Sequence, residues 1–287
     1  MLNTCKYILL FSIVLSFAAC KKYMQPQAGL EKLYAAPGSY AVSVTELTNA
    51  SGGKLYRVYY PSSASEPCPL ITWGNGTGAG PDNYDDIMKH LAGWGFIVID
   101  NYEKNTGTGK EILDAVSYML AENTRSGSVF FNRVDANNIG AAGHSQGATG
   151  IINAHTRYPG GAAIRALVPI ALPAQKWTEN IHGYEPAQIQ AALFLMSGKG
   201  DGLISSAKSN AETFAETDAA LPAAMALAAG NGHNSITRDG GRHRGYLTAW
   251  FRYRLYSDTI AAAAFAGNDP ELLRSEGWKD VRLKNLE

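Results

Sequence analysis

Gly143-His144-Ser145-Gln146-Gly147 is the segment with the clearest capacity for chemistry. Glycines two positions either side of a serine suit a sharp strand-to-helix turn, where backbone crowds the turn and the hydroxyl points out of a sheet edge. The run Asn138–Ala142 before it reads as a strand, and Ala148–Tyr158 after it as a helix closed by Pro159-Gly160-Gly161. A serine hydroxyl becomes a nucleophile only when a histidine, oriented by a carboxylate, takes its proton. In chain order the acid and then the base should follow, each at the end of a later strand. Asp201 follows Ala191–Ser197 through Gly198-Lys199-Gly200, a better position than Asp218 or Asp239. His90, His144 and His155 precede that acid, and His182 lies between nucleophile and acid. His233, in Gly230-Asn231-Gly232-His233-Asn234, follows the strand-like Ala223–Ala229 and is assigned as base. His243, beside Arg242 and Arg244, is the alternative and reads as a solvated helix-start residue.

The elements that must position these groups alternate along the chain. Ser39–Glu46 and Lys54–Tyr60 form an expected antiparallel pair around Asn49-Ala50-Ser51-Gly52-Gly53. Buried-strand runs follow at Pro69–Trp73, Gly95–Asp100, Asn138–Ala142, Ala163–Ile170, Ala191–Ser197 and Ala223–Ala229. Helical patterns lie between them at Asp82–Gly93, Thr108–Glu122, Gly147–Arg157, Ser205–Glu216 and Gly245–Tyr256. Continuous apolar strands alternating with helices imply an α/β domain, a mostly parallel doubly wound sheet with helices on both faces. No long linker divides it, so residues 39–287 are expected to be one domain.

Composition narrows the function. With 25 Lys+Arg against 25 Asp+Glu in 287 residues, no basic excess exists to bind phosphates, and nucleic acid is not an expected partner. No His/Cys/Asp/Glu group has metal-ligand spacing, so neither metal nor organic cofactor is expected. Lys6, the apolar stretch Tyr7–Phe17 and Ala18-Ala19-Cys20 read as a secretory signal, because the stretch falls short of the ~20 residues a membrane-spanning helix needs. Small residues directly before a cysteine resemble a bacterial lipoprotein cleavage site. Residues 1–19 are then a signal peptide, Cys20 the lipidated first residue, 20–38 a flexible tether, and the cell envelope or outer membrane the expected location. An ordinary secretory signal, giving a secreted or periplasmic protein, is the alternative. Cys68 is expected as a lone, partly buried thiol.

A tetrahedral intermediate needs two preorganised donors. Gln146 supplies one backbone N–H, and the glycine-rich loop Trp73–Gly80 is placed to supply the other. The same loop offers a rival reading, since Gly74-x-Gly76-x-x-Ala79 followed by Asp100 matches a dinucleotide-binding fingerprint. Gly80-Pro81-Asp82 delays the helix that such a site requires, and the rival leaves Ser145, Asp201 and His233 unexplained.

From Pro37 to about Asp258 the chain resembles the bacterial polyesterase–lipase–cutinase group of α/β-hydrolases, which includes poly(ethylene terephthalate) hydrolases. The matching stretches are Leu55–Pro61, Leu91–Val98, Lys110–Leu120, Val134–Gly147, Ala166–Ile170, Leu193–Asp201, Gly232-His233, and Trp250 with Asp258. The resemblance implies an α/β-hydrolase fold, a carboxylic-ester substrate, small or polymeric, and Thr77 as the second oxyanion donor beside Gln146. It also implies two departures. Thr77 and Pro173 stand where aromatic residues typically clamp an aromatic substrate, with Trp177 and Tyr84 near enough in sequence to compensate, and the family's C-terminal disulfide has no counterpart. The expectation is a lipid-anchored, monomeric serine esterase. A non-catalytic surface lipoprotein on the same fold and a dinucleotide-binding oxidoreductase are the alternatives.

Overall fold

A computed structural model describes residues 25–26, 29–178 and 182–287; the expected signal peptide and Cys20 lie outside them. Nine strands among the described residues form one sheet in the order β1-β2-β4-β3-β5-β6-β7-β8-β9. They are β1 (Val42–Thr48), β2 (Lys54–Pro61), β3 (Cys68–Gly74), β4 (Ile97–Asn101), β5 (Val134–His144), β6 (Ile164–Ile170), β7 (Ala192–Gly198), β8 (Ala223–Ala228) and β9 (Trp278–Lys284). Strands β3 to β8 pair in parallel, whereas β1, β2 and β9 add antiparallel edges. The parallel strands are buried throughout most of their length, which is why their sequences read as unbroken apolar runs.

Alternate residues of each strand feed two cores. Ile71 and Trp73 of β3 pack on one face with α2 (Asp85–Gly93) and α6 (His243–Tyr256). Leu70 packs on the other with α3 (Lys110–Thr124), α4 (Gln146–Arg157) and Phe214 of α5 (Ala207–Glu216). Strand β4 lies on one side of β3 and β5 on the other, so the winding direction reverses there. The crevice beyond the carboxyl ends at such a switch point is where open α/β sheets hold their ligands. Gly74 of β3 is in register with Gly143 of β5, and Ser145 emerges at that crevice.

Two elements depart from the sequence reading. A helix, α1 (Gly29–Ala35), stands in the expected tether. Its Leu30 and Glu31 N–H groups donate to the Glu271 carboxylate at 2.6 and 2.8 Å, and Glu31 accepts Trp278 Nε1–H at 2.9 Å. Buried Arg242 stands 3.3 Å from Glu31, an ion pair not aligned as a hydrogen bond, and a side chain on Gly245 would collide with the Glu31 carbonyl. The tether reading therefore fails over these residues, because α1 is fixed by partners some 210–250 positions away that local composition does not reveal. Strand β9 was not foreseen either. Asp280 sits at φ 52°, in a stretch where the register against β8 shifts, and the period-two alternation that would have marked the strand is broken.

Candidate active site

Between β5 and α4, Ser145 adopts φ 54°, ψ −118°, a conformation that is strained for a residue with a side chain. Its N–H donates to the Ile170 carbonyl at 2.9 Å, tying the turn to β6. The glycines are required by close approach: a Cβ on Gly147 would stand 2.0 Å from the Gly74 carbonyl oxygen, and one on Gly143 2.4 Å from that of Gly147. The backbone that crowds the turn is thus the end of β3, where the glycine-rich loop begins.

The structure brings Ser145, His233 and Asp201 together. Ser145 Oγ lies 2.9 Å from His233 Nε2, and His233 Nδ1 lies 2.5 Å from Asp201 Oδ2. The other Asp201 oxygen accepts the N–H groups of Ile204 and Ser205 at 3.3 and 3.2 Å. Burial alone would raise the Asp201 pKa; the hydrogen bond and charge of His233, with these two N–H donors, outweigh it and hold the carboxyl below its usual range. An ionised Asp201 fixes the proton on His233 Nδ1 and leaves Nε2 to accept the serine proton. His243, the alternative base, is the first residue of α6 and lies outside this cluster. It is 1% exposed rather than solvated, because Trp278 of the unforeseen β9 packs edge-on against its ring at 5.8 Å.

A second, buried chain of hydrogen bonds joins the two loops flanking the serine. Gly76 N–H donates to Tyr84 Oη at 3.1 Å, and Tyr84 Oη lies 2.9 Å from His144 Nδ1. His144 Nε2 lies 2.9 Å from the His233 carbonyl oxygen, which only accepts, so the His144 proton belongs on Nε2 and the Tyr84 hydroxyl donates to Nδ1. Burial, then the neighbouring His233 ring, pushes the His144 imidazole down to about 3, keeping it neutral. Tyr84, expected as a substrate-binding ring, is 1% exposed and packs on Trp73 at 5.0 Å. It lies in the cleft wall with its hydroxyl engaged and offers no open ring face. His144 carried a signal in sequence, its place beside the serine, but the Tyr84 partnership depends on how α2 packs.

Thr77, Ser145 and Gln146 line the same cavity. Among the described residues no hydrogen bond takes up the Thr77 N–H, and the Gln146 N–H, at the first position of α4, has no helical acceptor. The loop carrying Thr77 is pinned from below: Asn75 Nδ2 donates to Asp100 Oδ1 at 2.8 Å and to the Asn101 carbonyl at 2.7 Å, while Thr106 Oγ1 donates to the Asn75 carbonyl. Gln146 Oε1 accepts the Thr106 N–H at 3.1 Å, so both loop and elbow rest on Thr106. Asp100 is fully buried in this support, and its carboxyl is pushed well above the usual range by that burial. The helix after the glycine loop begins at Asp85, beyond a single 3-10 turn at Pro81–Asn83. The dinucleotide reading needed an accessible acid and a helix opening within the glycines, and neither is found.

The cleft has two lobes that meet at Thr77 and Ser145. One, of about 300 Å³, is lined by Pro173, Trp177, Ile204, Thr149, Thr178 and His182. Trp177 is 45% exposed at its rim and donates its indole N–H to the Leu203 carbonyl. The other, of about 610 Å³, holds His233 and is bounded by Asp82, Asn83, Asn234, Thr237 and Arg238. Among the described residues no group of three or more His, Cys, Asp or Glu side chains converges as a metal ion requires. The family model described as PET hydrolase-like matches residues 18–277 of the chain. No curated protein matches it.

Proposed function

The chain belongs to the PET hydrolase-like family of α/β-hydrolases, whose activity is hydrolysis of carboxylic esters, and on that premise we propose that it is a serine esterase working through an acyl-enzyme. Ser145 Oγ attacks the ester carbonyl as His233 Nε2 takes its proton, and Asp201 stabilises the imidazolium through Nδ1–H. The N–H groups of Thr77 and Gln146 receive the oxyanion, and no side chain is needed for that task. Collapse of the intermediate expels the alcohol with the proton from His233. Water, activated by the same imidazole, then releases the acid and restores Ser145. The observation that carries this reading is the continuous relay, 2.9 Å from Ser145 Oγ to His233 and 2.5 Å from His233 to Asp201, at the switch point of the sheet.

The N-terminal sequence supports export and lipidation at Cys20, with the enzyme held at the cell envelope; a monomer is part of the same proposal. Substrate contacts are assigned to Pro173 and Trp177. Because Thr77 and Pro173 replace aromatic positions, and Tyr84 is buried, Trp177 is the one exposed aromatic ring among the described residues that line the cleft, with Lys176 Nζ 5.1 Å from its centroid, and aliphatic esters are the better-fitting class. A panel of p-nitrophenyl esters from acetate to palmitate, with aliphatic and aromatic polyester films, tests this. The expected result is hydrolysis of soluble esters, reduced at least about 10³-fold by Ser145→Ala, with aliphatic film favoured over aromatic. Retained activity in Ser145→Ala would overturn the mechanism. Equal release from both films would overturn the substrate class.

A further inference from the structure

The two lobes of the cleft differ in chemistry, and the direction of proton transfer tells them apart. His233 must return its proton to the departing alkoxide, so the alcohol portion of the ester lies on the His233 side. That is the larger lobe, with Asp82, Asn234, Thr237 and Arg238. The acyl portion then occupies the smaller lobe, among Pro173, Trp177 and Ile204.

Arg238 is the distinctive group on the alcohol side. Its backbone is left-handed, at φ 63°, and is held from both ends: its N–H donates to the Asn83 carbonyl at 2.9 Å and its carbonyl accepts the Ile87 N–H at 3.0 Å. A non-glycine residue fixed in that conformation gives the side chain a defined root at the cleft rim. Among the described residues no carboxylate, carbonyl or ring engages its guanidinium. Neither neighbouring acid pairs with it: Asp82, which lines the same lobe, turns to Arg57 at 2.6 Å, an arginine it shares with Glu46, and Asp239 pairs with Arg244 at 3.1 Å. A guanidinium without a partner, lining the same cavity as the nucleophile and the base, is suited to a planar or tetrahedral anion through paired N–H donors.

Resting on the esterase reading, we propose that Arg238 recognises an anionic group on the alcohol portion of the substrate. The natural substrate class is then an ester of an apolar acid with an alcohol that carries a carboxylate or phosphate, such as the free-acid end of an oligo(hydroxy acid). The uncharged acyl lobe and the unpaired guanidinium of the alcohol lobe, where Asp82 is turned to Arg57, together give the site a direction: hydrolysis starts at the acidic end of a chain.

Three esters of matched size separate the possibilities: butyl butyrate, 4-(butyryloxy)butanoate with the carboxylate on the alcohol side, and monobutyl succinate with it on the acyl side. A butyryl ester of 3-hydroxypropyl phosphate distinguishes phosphate from carboxylate. Wild type should favour the alcohol-side anions over butyl butyrate. Arg238→Gln should lower that preference about five- to ten-fold through KM, with partial return in Arg238→Lys, and added NaCl should lower it in wild type but not in the Gln variant. The ratio for monobutyl succinate should not follow Arg238. A preference that is absent, or that survives Arg238→Gln, overturns the proposal while leaving the esterase intact. Failure to hydrolyse any of the four esters overturns the esterase reading and this proposal with it.

Discussion

Tyr84 joins the two loops that flank Ser145 through a single buried hydroxyl. As an aromatic near the glycine loop it read as a substrate contact; in the fold its hydroxyl accepts from Gly76 and donates to His144, which in turn holds the His233 carbonyl. It is therefore a positioning residue, one that acts through the two loops rather than on the ester. Tyr84→Phe leaves the buried Gly76 N–H and His144 Nδ1 without partners. The expected cost is about 1–3 kcal/mol of stability, with kcat lowered roughly ten-fold and KM little changed. Urea melts and steady-state kinetics check both. A loss of stability with unchanged kcat would reduce the network to packing. The relay residues themselves were legible, because the serine turn, the acid after β7 and the histidine after β8 each follow a strand whose apolar run is plain. Arg238 and Tyr84 were not, since nothing local to either marks the partner that pins it.

Close backbone approach governs the element scale. Strand β3 and α4 touch through Gly74 and Gly147, so the elbow and the oxyanion loop are one packed unit. Gly147→Ala forces a methyl to within 2.0 Å of the Gly74 carbonyl oxygen, and the expected outcome is activity lost at least 100-fold, by displaced donors or by misfolding. Circular dichroism with the esterase assay separates the two, and near-normal activity would contradict the packing. Helix α1 is a second such case. It shields Trp278 and pairs Glu31 with buried Arg242, so a chain starting at residue 39 should be less stable than one starting at Gln25 by at least about 3 kcal/mol. Equal urea midpoints would restore the tether reading. The strands of the parallel sheet were legible because burial on both faces makes them uniformly apolar. Helix α1 and β9 were not, because one is held by distant side chains and the other is broken by its bulge.

The whole molecule carries a pH dependence through histidines outside the relay. Burial is the first cause in each, pushing His90 and His243 down to about 4 and His144 to about 3. The unfolded chain binds these protons near 6.5 while the fold excludes them, so stability is present above that value and is lost as pH falls from about 6.5 towards 4. The three together should remove roughly 3–4 kcal/mol between pH 7.5 and 5.5. Asp201 acts in a separate window, since its lowered pKa gives stability that disappears only as pH falls below the ordinary carboxylate range. Urea denaturation at pH 7.5 and 5.5 reads the histidine window directly, and an unchanged free energy would contradict three neutral buried imidazoles.

The central claim is that Ser145, driven by His233 and Asp201, becomes covalently acylated, and a fluorophosphonate followed by peptide mass spectrometry tests it most directly. One adduct per chain is expected, on the peptide carrying Gly143–Gly147, absent in Ser145→Ala and strongly slowed in His233→Ala. No adduct on wild type, or an adduct that persists in Ser145→Ala, would contradict it.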